Sequence, residues 1–268
     1  MTLLKWLLVA VIGGYVGFML LLFLLQRSMM YPAPAVPRIA PAQVGLPEAE
    51  EVILDTQDGE QVIAWHVPPK HGKPVVLFFH GNGEVLPWRV PRFRALIEDG
   101  TGLLALSFRG YGGSSGTPSE AGLLADGEAV YAYAAARYPP ERIALWGYSL
   151  GSGVAVALAA EKPIGALILE APYTSIADLA VTMFPYVPVR WFVRDPFHSD
   201  ERIAKVTAPL LVMHGEKDTV IAIHFGEKLF ALAPGRKRLI RFPEGTHVNL
   251  DEQGAVAAVH AFLGELMQ

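Results

Sequence analysis

Five short apolar runs constrain this chain more than any other feature: PVVLFFHG (74–81), GLLALSFRG (102–110), RIALWGYS (142–149), GALILEAP (165–172) and PLLVMHGE (209–216). Each is too short for a core helix and too continuous for a strand with one wet face. Each therefore predicts a strand buried on both faces of a sheet. EVILDT and QVIAWHV, on either side of the turn QDGE, predict an antiparallel hairpin ahead of them, and KRLIRFPE (237–244) predicts a weaker edge strand. Helical patterns fill the intervals at 87–99, 119–137, 150–161, 221–232 and 248–266, with Ser119 placed to start the second. Such alternation implies a doubly wound, mostly parallel sheet whose chemistry lies just beyond the carboxyl ends of its strands. One connection, residues 173–207, is long and rich in aromatics and prolines, and predicts a small helical lid insertion over that edge.

The amino terminus has a different character. Residues 6–25, WLLVAVIGGYVGFMLLLFLL, contain no charged side chain. Twenty helical residues span about 30 Å, the thickness of a bilayer's hydrocarbon core. Lys5 and Arg27 flank the run, and Trp6 sits where an interfacial aromatic belongs. A secretory signal would have a shorter apolar core and a clean small-residue cleavage site, whereas prolines crowd the candidate APA at 33–35. A buried helix of a soluble fold rarely lacks a polar face for so long. The length favours an uncleaved anchor over both. The positive charges flanking it nearly cancel, with a slight lean toward a domain on the extracytoplasmic side. The expected organisation is a transmembrane anchor at 1–27, a proline-rich spacer at 28–49 and one catalytic domain at 50–268.

Composition then removes several chemistries. A formal net charge of −4 without a Lys/Arg block argues against a nucleic-acid partner, and the absence of cysteine rules out thiolate nucleophiles, disulfides and Cys-ligated zinc. No H-E-x-x-H or comparable cluster occurs, so neither a metal nor another cofactor is expected. Phosphate-cradling motifs fail on spacing: there is no G-x-x-x-x-G-K-[ST], and the glycines of GYSLGSG miss G-x-G-x-x-G.

GYSLG, residues 147–151, does satisfy G-x-S-x-G between a predicted buried strand and a predicted helix. This is the context of a nucleophile elbow, a corner so sharp that the positions two before and two after the serine must lack side chains. Ser149 is the candidate nucleophile, but a serine hydroxyl needs an oriented base. Among eight histidines, His247 lies on a loop between the last strand and last helix, within reach of the sheet edge. His80 and His214 both end strands as His-Gly and read as loop-fixing residues. Asp218, just past PLLVMHGE, is the favoured acid, and Glu170, directly after GALIL, the alternative. The order Ser149, Asp218, His247 suits this architecture. The backbone N–H of Leu150 and one from the loop HGNGE, best Asn82 and next Gly83, are the candidate oxyanion donors.

With HGNG, GYSLGSG, HGEKD and GTHVNL in place, the chain resembles the α/β-hydrolase superfamily, and within it the membrane-anchored bud-emergence (Bem-type) branch of abhydrolase-domain serine hydrolases. The stretches FRGYGGSSGTPSE and EAPYTSIADLA are similar to that branch as well. Family members often carry Asp-Tyr before RGYG; here Ser107-Phe108 stand there, a departure that bears on a hydrogen bond inside that loop. The resemblance implies hydrolysis of small acyl esters or thioesters, with lipid-like substrates in view, through Ser149, His247 and Asp218. A peptidase of the same fold and a membrane-tethered binding module without turnover are the alternatives. Trp88, Phe184, Tyr186, Trp191 and Phe192 are candidate walls of an acyl pocket or, equally, the packing core of a small lid.

Overall fold

The structure is a computed structural model that describes residues 2–266; Met1, Met267 and Gln268, the outermost positions of the predicted anchor and domain, lie outside the described residues. Eight strands form one sheet: β1 (Glu50–Asp55), β2 (Gln61–Val67), β3 (Val75–Phe79), β4 (Gly102–Ser107), β5 (Ile143–Tyr148), β6 (Ala166–Glu170), β7 (Leu210–Gly215) and β8 (Lys237–Phe242). Their spatial order is β1-β2-β4-β3-β5-β6-β7-β8. β1 and β2 pair antiparallel, as does β2 with β4, and every pairing from β4 to β8 is parallel. The five apolar runs are the five central strands, buried at every position, because helices cover both faces. β8 is an edge, as its charged alternation predicts.

Helices α2 (Val90–Ile97), α3 (Glu120–Ala135), α4 (Leu150–Ala159), α7 (Ile223–Leu232) and α8 (Ala255–Leu266) occupy the five predicted intervals. Ser119 caps α3, its Oγ accepting from the Gly122 N–H at 3.1 Å. The last helix begins later than the sequence pattern predicts. Residues 250–254 form turns, and Gly254, at φ 93°, resets the backbone before α8 starts. The freed segment belongs to the loop that presents His247.

Residues 173–207 hold the short helices α5 (Ile176–Met183) and α6 (Ser199–Arg202) joined by irregular chain. Helix α1 (Thr2–Met30) continues three residues past the predicted anchor and stops before Pro32, which disfavours helical backbone at Tyr31. It is long and apolar enough to cross a membrane. Its carboxyl end is fastened to the 173–207 connection: Arg27 forms a two-pronged ion pair with Asp195 (2.7 and 2.8 Å), and Gln26 donates to the Phe192 carbonyl and accepts from the Arg194 N–H. Asp195 is buried and also accepts from the Glu120 N–H at the start of α3, so one carboxylate joins α1, α3 and the connection.

Asp195→Ala removes an acceptor for three donors. It is expected to destabilise the protein by about 1–3 kcal/mol, the cost of leaving such donors unsatisfied, read as a lowered thermal midpoint of the full-length protein in detergent.

Candidate active site

Ser149 sits at the junction of β5 and α4 with φ 49° and ψ −117°, a region that side-chain-bearing residues avoid. The surroundings leave it no alternative. A Cβ on Gly151 would collide with the Phe79 and His80 backbone, and one on Gly147 would meet the Gly151 carbonyl and Ser152. The Ser149 N–H is tied to the Glu170 carbonyl at 2.9 Å, joining the elbow to the neighbouring strand end. The G-x-S-x-G spacing is therefore a packing requirement as well as a conformational one.

The structure brings Ser149, His247 and Asp218 into one hydrogen-bonded line. His247 Nε2 lies 3.0 Å from Ser149 Oγ, and His247 Nδ1 lies 2.7 Å from Asp218 Oδ2. Asp218 is anchored on its other oxygen, where Oδ1 accepts from the Val220 and Ile221 N–H groups, both at 2.8 Å. Burial works to raise the Asp218 pKa. Hydrogen bonds from His214 and His247, the charge of His247 and the Ile221 N–H outweigh it, and the carboxyl is held below its ordinary range. An ionised Asp218 fixes the proton on His247 Nδ1 and leaves Nε2 free to accept from the serine hydroxyl.

The two candidate donors, the backbone N–H groups of Leu150 and Asn82, donate to no protein acceptor among the described residues. Both residues line one cavity with Ser149, and Leu150 opens helix α4, whose amino end favours negative charge. The Asn82 side chain is held by the Tyr111 hydroxyl at 3.0 Å. The Ser107 departure is accommodated in place: its Oγ donates to the Tyr111 carbonyl at 3.0 Å, so this loop keeps an internal hydrogen bond.

Glu170, the alternative acid, is engaged elsewhere. Both its oxygens accept from Arg92 (2.7 and 2.8 Å), and Trp146 Nε1–H adds a bond at 3.0 Å, all in a group that is 1% exposed. Arg92 also reaches Asp251 on the loop that follows His247. This network ties Glu170 to the loop that follows His247 and leaves His247 no carboxylate from Glu170. The two His-Gly strand ends act on loops: His80 Nδ1–H donates to the Gly81 carbonyl while Nε2 accepts from the Phe108 N–H, and His214 Nε2–H donates to the Ile221 carbonyl beside Asp218.

Two contributors carry no motif. Tyr148, the variable residue of G-x-S-x-G, donates its hydroxyl to the His247 carbonyl at 2.8 Å, linking the elbow to the base's loop. The second is α1. The cavity over Ser149, about 340 Å³, is lined by Met19, Leu22, Phe23 and Gln26 of α1 as well as by Met183 and Phe184. Of the five aromatics named from sequence, Phe184 and Phe192 line the cavity, while Trp88, Tyr186 and Trp191 are exposed away from it. A sequence signal for α1 did exist in the spacing 19, 22, 23, 26, one helical face, but nothing local tells that face from lipid-facing residues.

The alpha/beta hydrolase fold family matches residues 74–198. An uncharacterized protein of Mycobacterium tuberculosis is 36% identical over 256 residues, covering 93% of this chain and 91% of that one. The alpha/beta hydrolase domain-containing protein WAV2 of Arabidopsis thaliana is 30% identical, covering 88% and 86%. This chain belongs to the alpha/beta hydrolase family. The lysophosphatidylserine lipase ABHD12 of Danio rerio is 30% identical, covering 74% of this chain and 62% of its own length. Among solved structures, the Pyrococcus furiosus esterase Pf2001 shares the fold with a TM-score of 0.69 at 21% identity, covering 88% of this chain and 97% of that one.

Two outcomes follow for this hydrolase. Glu170→Ala takes the carboxylate from the two terminal amino groups of buried Arg92 while Asp251 stays paired at Nε, and is expected to cost about 1–3 kcal/mol of stability, measured by urea unfolding; activity lost at unchanged stability would return Glu170 to the role of acid. Asp218, with a folded pKa below its unfolded value of about 3.9, stabilises the fold above that pH and loses this contribution as the pH falls toward its folded value. Acid unfolding of Asp218→Asn is therefore expected to depend less steeply on pH than that of the wild type.

Proposed function

We propose that the protein is a membrane-anchored serine hydrolase that cleaves carboxylic ester or thioester bonds through an acyl-enzyme. The observation that best supports this reading is the unbroken line from Ser149 Oγ through His247 to Asp218, at 3.0 and 2.7 Å, beneath an apolar cavity. In the proposed reaction, Ser149 Oγ bonds to the acyl carbon as its proton passes to His247 Nε2. The carbonyl oxygen becomes an oxyanion held by the Leu150 and Asn82 N–H groups. Collapse breaks the bond to the leaving alkoxide or thiolate, which takes the proton from His247. A water then gives His247 a proton and its oxygen attacks the acyl carbon. The carboxylic acid departs, and the proton on His247 returns to Ser149.

Asp218 supplies tautomer and orientation throughout, and its ionised state at neutral pH suits it to stabilise the imidazolium formed in each half-reaction. The apolar lining of the cavity, the apolar helix α1 and the lipase ABHD12 among the relatives together support a lipid-like acyl group in the substrate. The 173–207 connection is the proposed lid, and α1 the proposed anchor.

Fluorophosphonate labelling of the full-length protein in detergent tests the chemistry. Wild type is expected to label, and Ser149→Ala and His247→Ala to remain unlabelled. Asp218→Asn, which sets His247 in the wrong tautomer, is expected to lower ester turnover by roughly 10³–10⁴-fold. A folded wild type that neither labels nor turns over ester would overturn the reading.

A further inference from the structure

Helix α1 is fastened to the body by more than its own chain. Tyr15 donates to the Tyr186 carbonyl at 2.7 Å, Gln26 bonds to both Phe192 and Arg194, and Arg27 pairs with Asp195. Between these ties the helix turns one stripe inward. Met19, Leu22, Phe23, Gln26, Met29 and Met30 all line the cavity that contains Ser149, at the spacing of a single helical face. Leu179, Met183, Phe184 and Val187 line the same cavity. Its wall is almost wholly apolar.

The depth of this wall matters. The uncharged run ends at Leu25, so Met19 lies about 9 Å back along the helix from that end, at 1.5 Å per residue. A helix that spans a bilayer with this run carries the upper part of the cavity to the level of the acyl chains. Beside the end of the run, where Gln26 meets the Phe192 carbonyl, the connection exposes Trp191 (86%) with Arg190 and Arg194 in the same segment. An exposed Trp beside cations is what a membrane interface accommodates and bulk water does not favour.

We infer that the inward face of α1 is one wall of an acyl-chain subsite, and that the substrate is an ester or thioester whose long acyl chain occupies it. This rests on the serine-hydrolase reading and deepens it. The anchor helix then has two faces with two tasks: Leu20, Leu21 and Leu24 meet lipid, while Met19, Leu22 and Phe23 meet the substrate chain. Two methionines at the lower end of the stripe suit a chain of variable shape, since the unbranched thioether fills irregular space. Selectivity follows from the same geometry. A long acyl group gains apolar contact with α1 with each added methylene until the wall is used up, and a short one gains less.

The test compares p-nitrophenyl laurate with p-nitrophenyl acetate on full-length protein in detergent micelles, for wild type, Leu22→Trp and Leu21→Trp. Leu21 lies on the exposed face and outside the cavity. Filling the subsite at position 22 is expected to lower the laurate-to-acetate ratio of kcat/KM by roughly tenfold, the loss of about two buried methylenes, with the ratio for Leu21→Trp at the wild-type value. Equal ratios in all three proteins would overturn the α1 subsite and leave the hydrolase reading standing. A wild type that turns over neither ester and fails to label at Ser149 would instead remove the hydrolase reading and this inference with it. Against misfolding of the Trp variant, a second measurement uses unmodified protein: a fluorophosphonate with a dodecyl chain ending in a diazirine, photolysed after attachment. Crosslinks to peptides within 19–30 are expected; crosslinks confined to other segments would overturn the proposal.

Discussion

A serine at φ 49° is held only where relaxation is blocked on every side, and much of this molecule can be read as the means of blocking it. Strand β5 delivers the chain at the centre of the sheet, between β3 and β6, where neither neighbour can move aside. Gly151 fits against the Phe79 carbonyl with no room for a methyl, and the Ser149 N–H is pinned to β6. Strain of order 1–3 kcal/mol is tolerable here because the surrounding strands are buried along their whole length. The same corner opens α4 at Leu150, which lines the cavity with Ser149 and whose N–H has no protein acceptor among the described residues, so conformation and electrostatics come from one turn.

The loops that meet the elbow are each fixed by a polar hydrogen bond as well as by apolar packing. His80 holds the loop that carries Asn82, Asp218 is clasped by two backbone N–H groups, and Tyr148 holds the His247 carbonyl. Arg92 reaches from α2 to Glu170 and to Asp251, spanning strand end and base loop together. In a low-dielectric setting, hydrogen bonds of this kind are directional and costly to break. They fix distances near 3 Å, which hydrophobic contact alone specifies loosely.

The parts of this design written locally were legible in the sequence. Continuous apolar runs gave the central strands, and the glycines at 147 and 151 announced a corner that admits no side chain. His247 and Asp218 could be chosen by asking which residues follow strand ends. Other parts depend on partners far along the chain. Nothing near Glu170 says that Arg92, 78 positions earlier, takes both its oxygens, so it competed with Asp218 until the fold paired it. Gly254 reads as one more glycine in a helical pattern until its positive φ delays α8. The aromatics of the 173–207 connection looked like pocket walls by composition, but Tyr186 and Trp191 are exposed, because composition does not set which side of a connection a side chain takes.

The least legible element was the helix that sequence reading identified most directly. A twenty-residue apolar run explains itself as an anchor, and that sufficiency conceals any second task. An apolar stripe facing a substrate chain and one facing lipid tails are built from the same residues, so hydropathy cannot separate them. Gln26 and Arg27 break the ambiguity, because polar groups at the end of such a run need defined partners, and both have them in the 192–195 segment. Those bonds set the rotation of α1 about its axis. Once rotation is set, Met19, Leu22 and Phe23 face the cavity. A fixed rotation is what the proposed acyl-chain wall requires, and the proposed anchoring alone does not require it.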